Sequence, residues 1–387
     1  MRATQPATPE TVGIYIHIPF CRAKCGYCAF ASYPVAGHDP ERYLAALFRE
    51  IAFYREQAWC RGRVFGSLFL GGGTPTILAA DQLTKLLGSL RESFSFSPDA
   101  EISVETNPNM VDVAKLTALA TAGVNRLSVG IQSFDDPTLG RIDRTHTAAD
   151  GERAVALARR AGIGNLSLDL IYGLPGQTPA AWRQTLARAV ALTPEHLSAY
   201  QLSIDSGSRF AELAAAGKLS LPDEESETEM AEDTVRYLAG AGYDRYEISN
   251  YARPGYQCRH NLNYWQNGSW LGLGAAAVGA LSGLRLRNTA DPQRYQQCWE
   301  SGQPAWVEGE GLDRERTFRE TVIMGLRLLE GLKLAELHNR FGFDPGEYYG
   351  KTVENLIAKG LLEMTGDRLR LTCRALPVAN QVLAELV

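Results

Sequence analysis

Tyr15-Ile16-His17-Ile18-Pro19-Phe20-Cys21-Arg22-Ala23-Lys24-Cys25-Gly26-Tyr27-Cys28 joins a β-type run to three cysteines spaced C-x3-C-x2-C. Three thiolates within eight residues reach three corners of one 4Fe–4S cluster and leave the fourth iron without a protein ligand. An open iron binds a small molecule, so the pattern points to cofactor chemistry rather than simple electron transfer. A structural zinc site would want four ligands, as a rule in paired C-x2-C units. The nearest downstream histidine, His38, lies ten residues past Cys28, and no fourth ligand follows at a suitable spacing.

Working outward, β-type runs at 13–18, 64–70, 101–105, 126–130, 165–171 and 196–202 alternate with amphipathic helical runs at 41–59, 81–92, 112–122, 148–161 and 179–191. Such alternation means parallel strands joined by crossover helices. Six units are two short of a closed eight-stranded barrel, which leaves a partial barrel or a doubly wound sheet. The strand ends separate the two. Each run is followed by polar or glycine-rich residues: the cysteine loop, Gly71-Gly72-Gly73-Thr74-Pro75, Glu105-Thr106-Asn107-Pro108, Gln132-Ser133, Gly173-Leu174-Pro175-Gly176 and Gln201 to Ser203. A doubly wound sheet concentrates such residues at one switch point, whereas a barrel spreads them around the C-terminal face of its strands. The expected fold is therefore α/β, a partial (β/α)6 barrel.

After Ser206 the pattern changes. Residues 223–233 carry seven acids in eleven and read as a solvated helix face. Residues 243–250 read as a further strand, and Pro254-Gly255 as a break. From Arg314 onward the reading is helical, through 334–341 and 348–359. A hairpin follows at 361–364 and 368–371, then a helix at 377–386, which together suggest a winged-helix-like module. The expected division is a core barrel over 1–215, a mixed connecting region over 216–310 and a C-terminal module over 311–387.

The chain has 387 residues, 45% of them hydrophobic and 21% charged, with a net charge of −5. No basic stripe appears, so no nucleic-acid partner is expected, winged-helix shape notwithstanding. Seven cysteines, three in one motif and Cys60, Cys258, Cys298 and Cys373 scattered, fit a reducing compartment better than a disulfide framework. Residues 1–10 lack a basic n-region followed by an apolar run, so no signal peptide is expected. The most apolar stretch, 271–284, is shorter than the ~20 residues of a spanning helix. The expected location is the cytoplasm.

Several strand-end residues are candidates for ligand binding. The glycines at 71–73 let a backbone approach a ligand closely. Glu105 places a carboxylate where ribose hydroxyls or an ammonium can bind. Gln132 ends the fourth run. Arg144 suits a bidentate carboxylate. Asp169 puts a charge inside an apolar run, costly unless partnered. Each alone is equally compatible with a surface or capping role; all of them at strand ends is not.

The C-x3-C-x-aromatic-C loop after a first strand resembles the radical S-adenosylmethionine (SAM) superfamily. That resemblance implies that SAM chelates the open iron and that one electron from the cluster cleaves it to a 5′-deoxyadenosyl radical. The likeness narrows with the 15–21 run, the GGGTPT run, Ser128-Val129-Gly130-Ile131-Gln132-Ser133 and Asp169-Leu170-Ile171-Tyr172-Gly173-Leu174-Pro175. These are similar to the oxygen-independent coproporphyrinogen III oxidase (HemN) family and its relatives. The resemblance implies a cluster on Cys21, Cys25 and Cys28, and SAM contacts from Tyr15, Gly72, Glu105, Gln132, Arg144 and Asp169. It also implies that Tyr27, Gly73, Thr74 and Ser203 line the same cavity, which in the oxidase holds a second SAM.

Two branches of that family differ. The oxidase has a fourth cysteine two residues after the third, where this chain has Phe30, and a longer segment before the first strand; fourteen residues precede Tyr15 here. The other branch, the haem chaperone HemW family, is marked by H-N-x-x-Y-W, and this chain has His260-Asn261-Leu262-Asn263-Tyr264-Trp265. The resemblance implies haem binding and delivery to acceptor haemoproteins of the membrane respiratory kind, with an electron donor for the cluster and a cytoplasmic location that extends to the inner membrane face. It leaves oxidative decarboxylation of coproporphyrinogen III as the alternative. Physically, His260 can serve as an axial haem ligand with Tyr264 and Trp265 packed on the porphyrin. Equally, His260 can order a loop by hydrogen bonding while the two aromatics join the core. Cys258 is a further thiolate candidate.

Overall fold

The computed structural model describes residues 12–281 and 283–387; the opening segment read for a signal peptide lies outside them. Six parallel strands follow the expected alternation: β1 (Val12–Ile18), β2 (Val64–Gly72), β3 (Ser95–Thr106), β4 (Arg126–Gln132), β5 (Asn165–Tyr172) and β6 (His196–Gln201). The helices between them are α1 (Pro40–Glu56), α2 (Ala80–Ser93), α3 (Val113–Thr121), α4 (Asp136–Arg141), α5 (Ala148–Arg160) and α6 (Pro179–Ala191). Their starts are written locally. Asp39 caps α1 by accepting from the Glu41 and Arg42 amides, with Pro40 in the first turn. Thr147 and Asp150 form a capping box on α5.

Period-two alternation along the strands gives the barrel two different faces. Ile14, Ile16, Ile18, Leu68, Leu70, Val104, Leu127, Val129, Leu166 and Leu168 are all buried in the main core, which lies between sheet and helices. Burial stabilises by about 1.5–3 kcal/mol per such side chain. The alternate positions carry Tyr15, His17, Ser67, Ser103, Arg126, Ser128, Ser167, Asp169, His196 and Ser198 and face the lumen. The apparent charge inside an apolar run at Asp169 is this alternation: Leu168 and Leu170 go out, Asp169 goes in.

The stretch expected to be a mixed connecting region contributes to the same sheet. Beyond α7 (Arg209–Ala215) and α8 (Glu224–Gly240), residues 243–252 form two short strands instead of one: β7 (Asp244–Arg245) and β8 (Asn250–Ala252). The Asn250 amide bonds the Glu247 carboxylate across the intervening turn. β8 pairs antiparallel with β6 and closes that flank. On the other flank, β9 (Trp270–Leu273) runs parallel to β1, Gly13 opposite Trp270. β10 (Val278–Leu281), β11 (Leu284–Asn288) and β12 (Trp306–Gly311) continue antiparallel, giving twelve strands in the order β12-β11-β10-β9-β1-β2-β3-β4-β5-β6-β8-β7. The apolar 271–284 stretch is thus strand, turn and strand. The acidic run lies on α8 with Met230 and Leu238 buried and most of its carboxylates solvated, as its composition suggests.

The C-terminal part packs around its own core of Phe318, Val322, Leu337, Phe341 and Leu369. Helices Arg314–Gly325 and Leu334–Phe341 and a pair of short helices precede a hairpin of Leu362–Thr365 with Arg368–Leu371. Leu332–Lys333 adds a third strand. This is the helix, helix, hairpin order expected from the sequence. Among the described residues no helix is long and apolar enough to cross a membrane.

Candidate functional site

The cysteine loop leaves the end of β1 and is held by main-chain bonds to the end of β2. The Gly73 amide donates to the Ile18 carbonyl at 2.8 Å and the Thr74 amide to the Phe20 carbonyl at 2.8 Å. A Cβ on Gly73 would lie 2.5 Å from the Phe20 oxygen, so glycine there is what lets the loop seat on the sheet. Gly26, between the second and third cysteines, is equally constrained: a Cβ would sit 2.6 Å from the Phe210 ring. The Phe210 amide donates to the Gly26 carbonyl at 2.9 Å, so α7 clamps the loop from outside.

The three thiols are partly exposed on this loop. Cys21 Sγ lies 3.6 Å from the Thr74 hydroxyl and Cys28 Sγ 3.7 Å from the Ser32 hydroxyl. The Arg144 guanidinium donates to Cys25 Sγ at 3.6 Å and to the Asn107 side-chain oxygen at 2.6 Å, and also to the Gly130 carbonyl. Burial pushes the Cys21 thiol up, with the Thr74 hydrogen bond pulling against it. Among the described residues no three His, Cys, Asp or Glu side chains converge on a single metal ion. A cubane asks for something else, one thiolate on each of three irons. The donor set fits that group: three thiols on one loop, a guanidinium beside them, and an Arg144 Nε that is buried without a partner.

The neighbouring strand ends form one wall. Glu105 Oε2 accepts from the Gly72 amide at 3.3 Å. Burial, reinforced by Asp169, raises its carboxyl to about 8. Asp169 accepts from Ser128, Ser198 and Ser167 at 2.9, 2.7 and 3.3 Å, which fixes its carboxyl on the lumen wall. Gln132 ends β4 with φ at +65°. Tyr15 bonds His17 Nδ1 at 2.9 Å, and His17 Nε2 donates to the Ala31 carbonyl at 2.9 Å, which makes Nδ1 the acceptor. Tyr27 packs edge-on against Phe210.

The structure thus brings Cys21, Cys25, Cys28, Tyr27, Gly72, Gly73, Thr74, Glu105, Gln132, Arg144 and Asp169 to the C-terminal end of the barrel, with Tyr15 just below. Ser203 is exposed in the segment after β6 and bonds Asp205 at 2.9 Å. Phe30, where a fourth cysteine would stand, is 69% exposed. Asn107 bridges Thr74 and Arg144; it sits in a strand-end run that the sequence already marks. Phe210 is a contact that no local pattern announces. The end of β9 adds a seventh strand end to this face: a Cβ on Gly274 would lie 2.5 Å from the His17 carbonyl oxygen.

The H-N-x-x-Y-W run lies elsewhere. It forms α9 (Arg259–Trp265) at the opposite, N-terminal mouth of the barrel. His260 is buried and stacks on Phe69 at 5.2 Å between ring centroids. Its Nδ1 pairs with Ser67 Oγ and its Nε2 with the Tyr264 hydroxyl, both at 2.9 Å. Its backbone amide donates to Glu101 at 3.2 Å. Burial, with Arg126 nearby, lowers the imidazole to about 3, so it is neutral and fully hydrogen-bonded. Cys258 is buried, its thiol pushed up to about 12 mainly by burial. Trp265 points away, toward the C-terminal module, with the Arg327 guanidinium 4.7 Å from its ring centroid.

Comparison with known proteins agrees with this layout. Residues 15–189 match the Radical SAM superfamily and residues 312–378 the HemN C-terminal domain. The chain is 35% identical over 386 residues to a Mycobacterium tuberculosis protein named Heme chaperone HemW, covering 99% of this chain and 96% of that one. An Escherichia coli protein of the same name is 37% identical over 292 residues, 74% of this chain and 76% of that one. Among solved structures, Escherichia coli coproporphyrinogen III oxidase (HemN), described as a radical SAM enzyme, superposes with a TM-score of 0.86 at 26% identity, over 98% of this chain and 90% of that one.

Proposed function

The chain belongs to the HemW family of the radical SAM superfamily, and from that membership we propose that it binds haem and hands it to acceptor haemoproteins while carrying a 4Fe–4S cluster and SAM. The observation that carries the reading is the extent of the likeness, 96% of a named heme chaperone. Phe30 supports it, since the oxidase branch carries a fourth cysteine at that place.

In this reading Cys21, Cys25 and Cys28 hold the cluster. Tyr15, Gly72, Glu105, Gln132, Arg144 and Asp169 surround SAM, with Tyr27, Gly73 and Thr74 on the same wall. When bound, the pair supplies one-electron chemistry at a sulfonium. The chain's own contribution is electrostatic. Arg144 donates to Cys25 Sγ, Glu105 presents a buried carboxyl on the same wall, and Asp169 is aimed by three serines. Haem ligation by His260 would require α9 to leave the barrel mouth, because both ring nitrogens are committed. The acceptors in this reading are membrane-bound respiratory enzymes reached from the cytoplasmic face, with a separate electron donor for the cluster.

The test uses anaerobically reconstituted protein. A Soret shift on titration with micromolar haem is expected; no shift sinks the carrier reading. The likeness to the oxidase structure keeps a second reading in view. Turnover of coproporphyrinogen III to protoporphyrinogen with SAM and reductant would establish it and displace the chaperone.

A further inference from the structure

We propose that the outer face of the cysteine loop, carrying Arg22, Lys24 and Phe30, is the docking surface for a small acidic one-electron carrier protein that reduces the cluster. This rests on the reading that Cys21, Cys25 and Cys28 hold a cluster, and it gives the electron donor a place and a charge. Arg22 directly follows the first cysteine and Lys24 directly precedes the second, and both residues are exposed. The Lys24 ammonium donates to the Phe30 carbonyl at 3.3 Å, which holds the cation against the residue that carries the ring.

Two observations separate this surface from an ordinary solvated loop. Phe30 is the most exposed aromatic among the described residues, although Phe20 and Tyr27 on the same loop turn inward to pack on Tyr43 and Phe210. The second is charge. The chain carries a net −5, and its exposed arginines commonly face a carboxylate, as Arg42 does Glu300, Arg183 does Glu229 and Arg188 does Glu152. Among the described residues neither Arg22 nor Lys24 forms an ion pair. Arg209, at the start of the helix that clamps the loop, is neutralised by Asp143 at 2.6 Å. Two uncompensated cations thus flank one bare ring.

The partner that answers these groups is a protein with carboxylates around an apolar contact. An aromatic anchor inside a charged rim is the common anatomy of protein interfaces. An acidic carrier is repelled by the chain as a whole and attracted at this loop, which orients the encounter. Two residues span at most ~7 Å of chain, so a donor seated on Phe30 lies beside the cluster ligand Cys28. One electron leaves the reduced centre of the carrier, which returns to its oxidised form, and enters the cluster. No bond forms or breaks and no proton need move.

The test uses the full-length, cluster-loaded protein and an acidic plant-type 2Fe–2S ferredoxin as the probe. Two quantities are read anaerobically: ferredoxin affinity, and the rate at which reduced ferredoxin reduces the cluster. Both should fall as salt is raised. The double variant Arg22→Glu with Lys24→Glu should lower both roughly tenfold at low ionic strength and flatten their salt dependence. Phe30→Ala should weaken binding about fivefold. Arg55→Glu, exposed at the far end of α1, should leave both unchanged. Dithionite takes each protein to its reduced end point and so measures the cluster it holds. If the loop variants bind and accept electrons as wild type does, or if Arg55→Glu slows transfer equally, the docking site is wrong while the cluster reading stands. A wild-type cluster that dithionite reduces and ferredoxin does not also overturns the proposal. If dithionite finds no reducible cluster in wild type, the cluster reading itself fails.

Discussion

The two mouths of this barrel are built from the same strands and hold their two sequence motifs differently. At the C-terminal mouth three thiols are partly exposed, Arg144 Nε is unpartnered and Glu105 is held near 8 by burial. At the N-terminal mouth the polar groups of α9 are nearly all paired: Ser67 and Tyr264 take the His260 ring nitrogens and Glu101 its amide. Arg126 Nε, Ser103 Oγ and Asn165 Oδ1, near the starts of the strands, also lack partners, so the contrast lies between the cysteine loop and the His260 side chain rather than between whole mouths. In this structure a histidine motif as specific in sequence as the cysteine motif packs as a plug.

The largest expected effect tests the open mouth. Cys25→Ala should abolish the visible absorbance of the reconstituted cluster while leaving the secondary structure by circular dichroism intact; retained absorbance would break the assignment. Next, His260→Ala should destabilise by ~3–4 kcal/mol in urea melts, since it opens a cavity and strands the Ser67 and Tyr264 partners. A change under ~1 kcal/mol would mean that the plug is not structural.

A third prediction concerns Glu50, buried behind the open mouth. It accepts from the Gly274 amide at 2.7 Å, Asn288 at 2.7 Å and Tyr295 at 2.5 Å. Burial raises its carboxyl to about 7, against those hydrogen bonds. A carboxyl raised on folding binds its proton more tightly in the native state. Its contribution is therefore full below the unfolded value and is lost as pH rises toward 7. Relative to Glu50→Gln, wild-type stability should fall by ~3 kcal/mol between acid and neutral pH, read from paired urea melts; parallel curves would contradict it. The smallest effect sharpens the closed mouth: Tyr264→Phe should cost about 1 kcal/mol, one hydrogen bond on His260.

Much of the open mouth was legible because it is local. Cysteine spacing, a glycine run after a strand and polar strand ends are each decided within a few residues. Alternation of helix and strand fixed the six parallel units for the same reason, and the hairpin at Gly366-Asp367 announced itself by its turn residues. β9 was not legible: residues 271–273 read as part of one apolar stretch, and the pairing of β9 with β1 spans over 250 positions in sequence. Phe210 was hidden likewise, an apolar residue whose contacts with Gly26 and Tyr27 are tertiary. Ser203 was placed by likeness, and in the structure it is exposed and bonded to its own segment.

From the sequence alone came the donor set, the alternation of strand and helix, and the family. Those depend on side-chain chemistry and short-range geometry. Which mouth of the barrel each motif occupies was decided only by the tertiary structure. The direction a histidine faces, and whether its nitrogens are free, is set by partners such as Ser67, 193 residues away in the chain. No local pattern encodes an environment assembled from that distance.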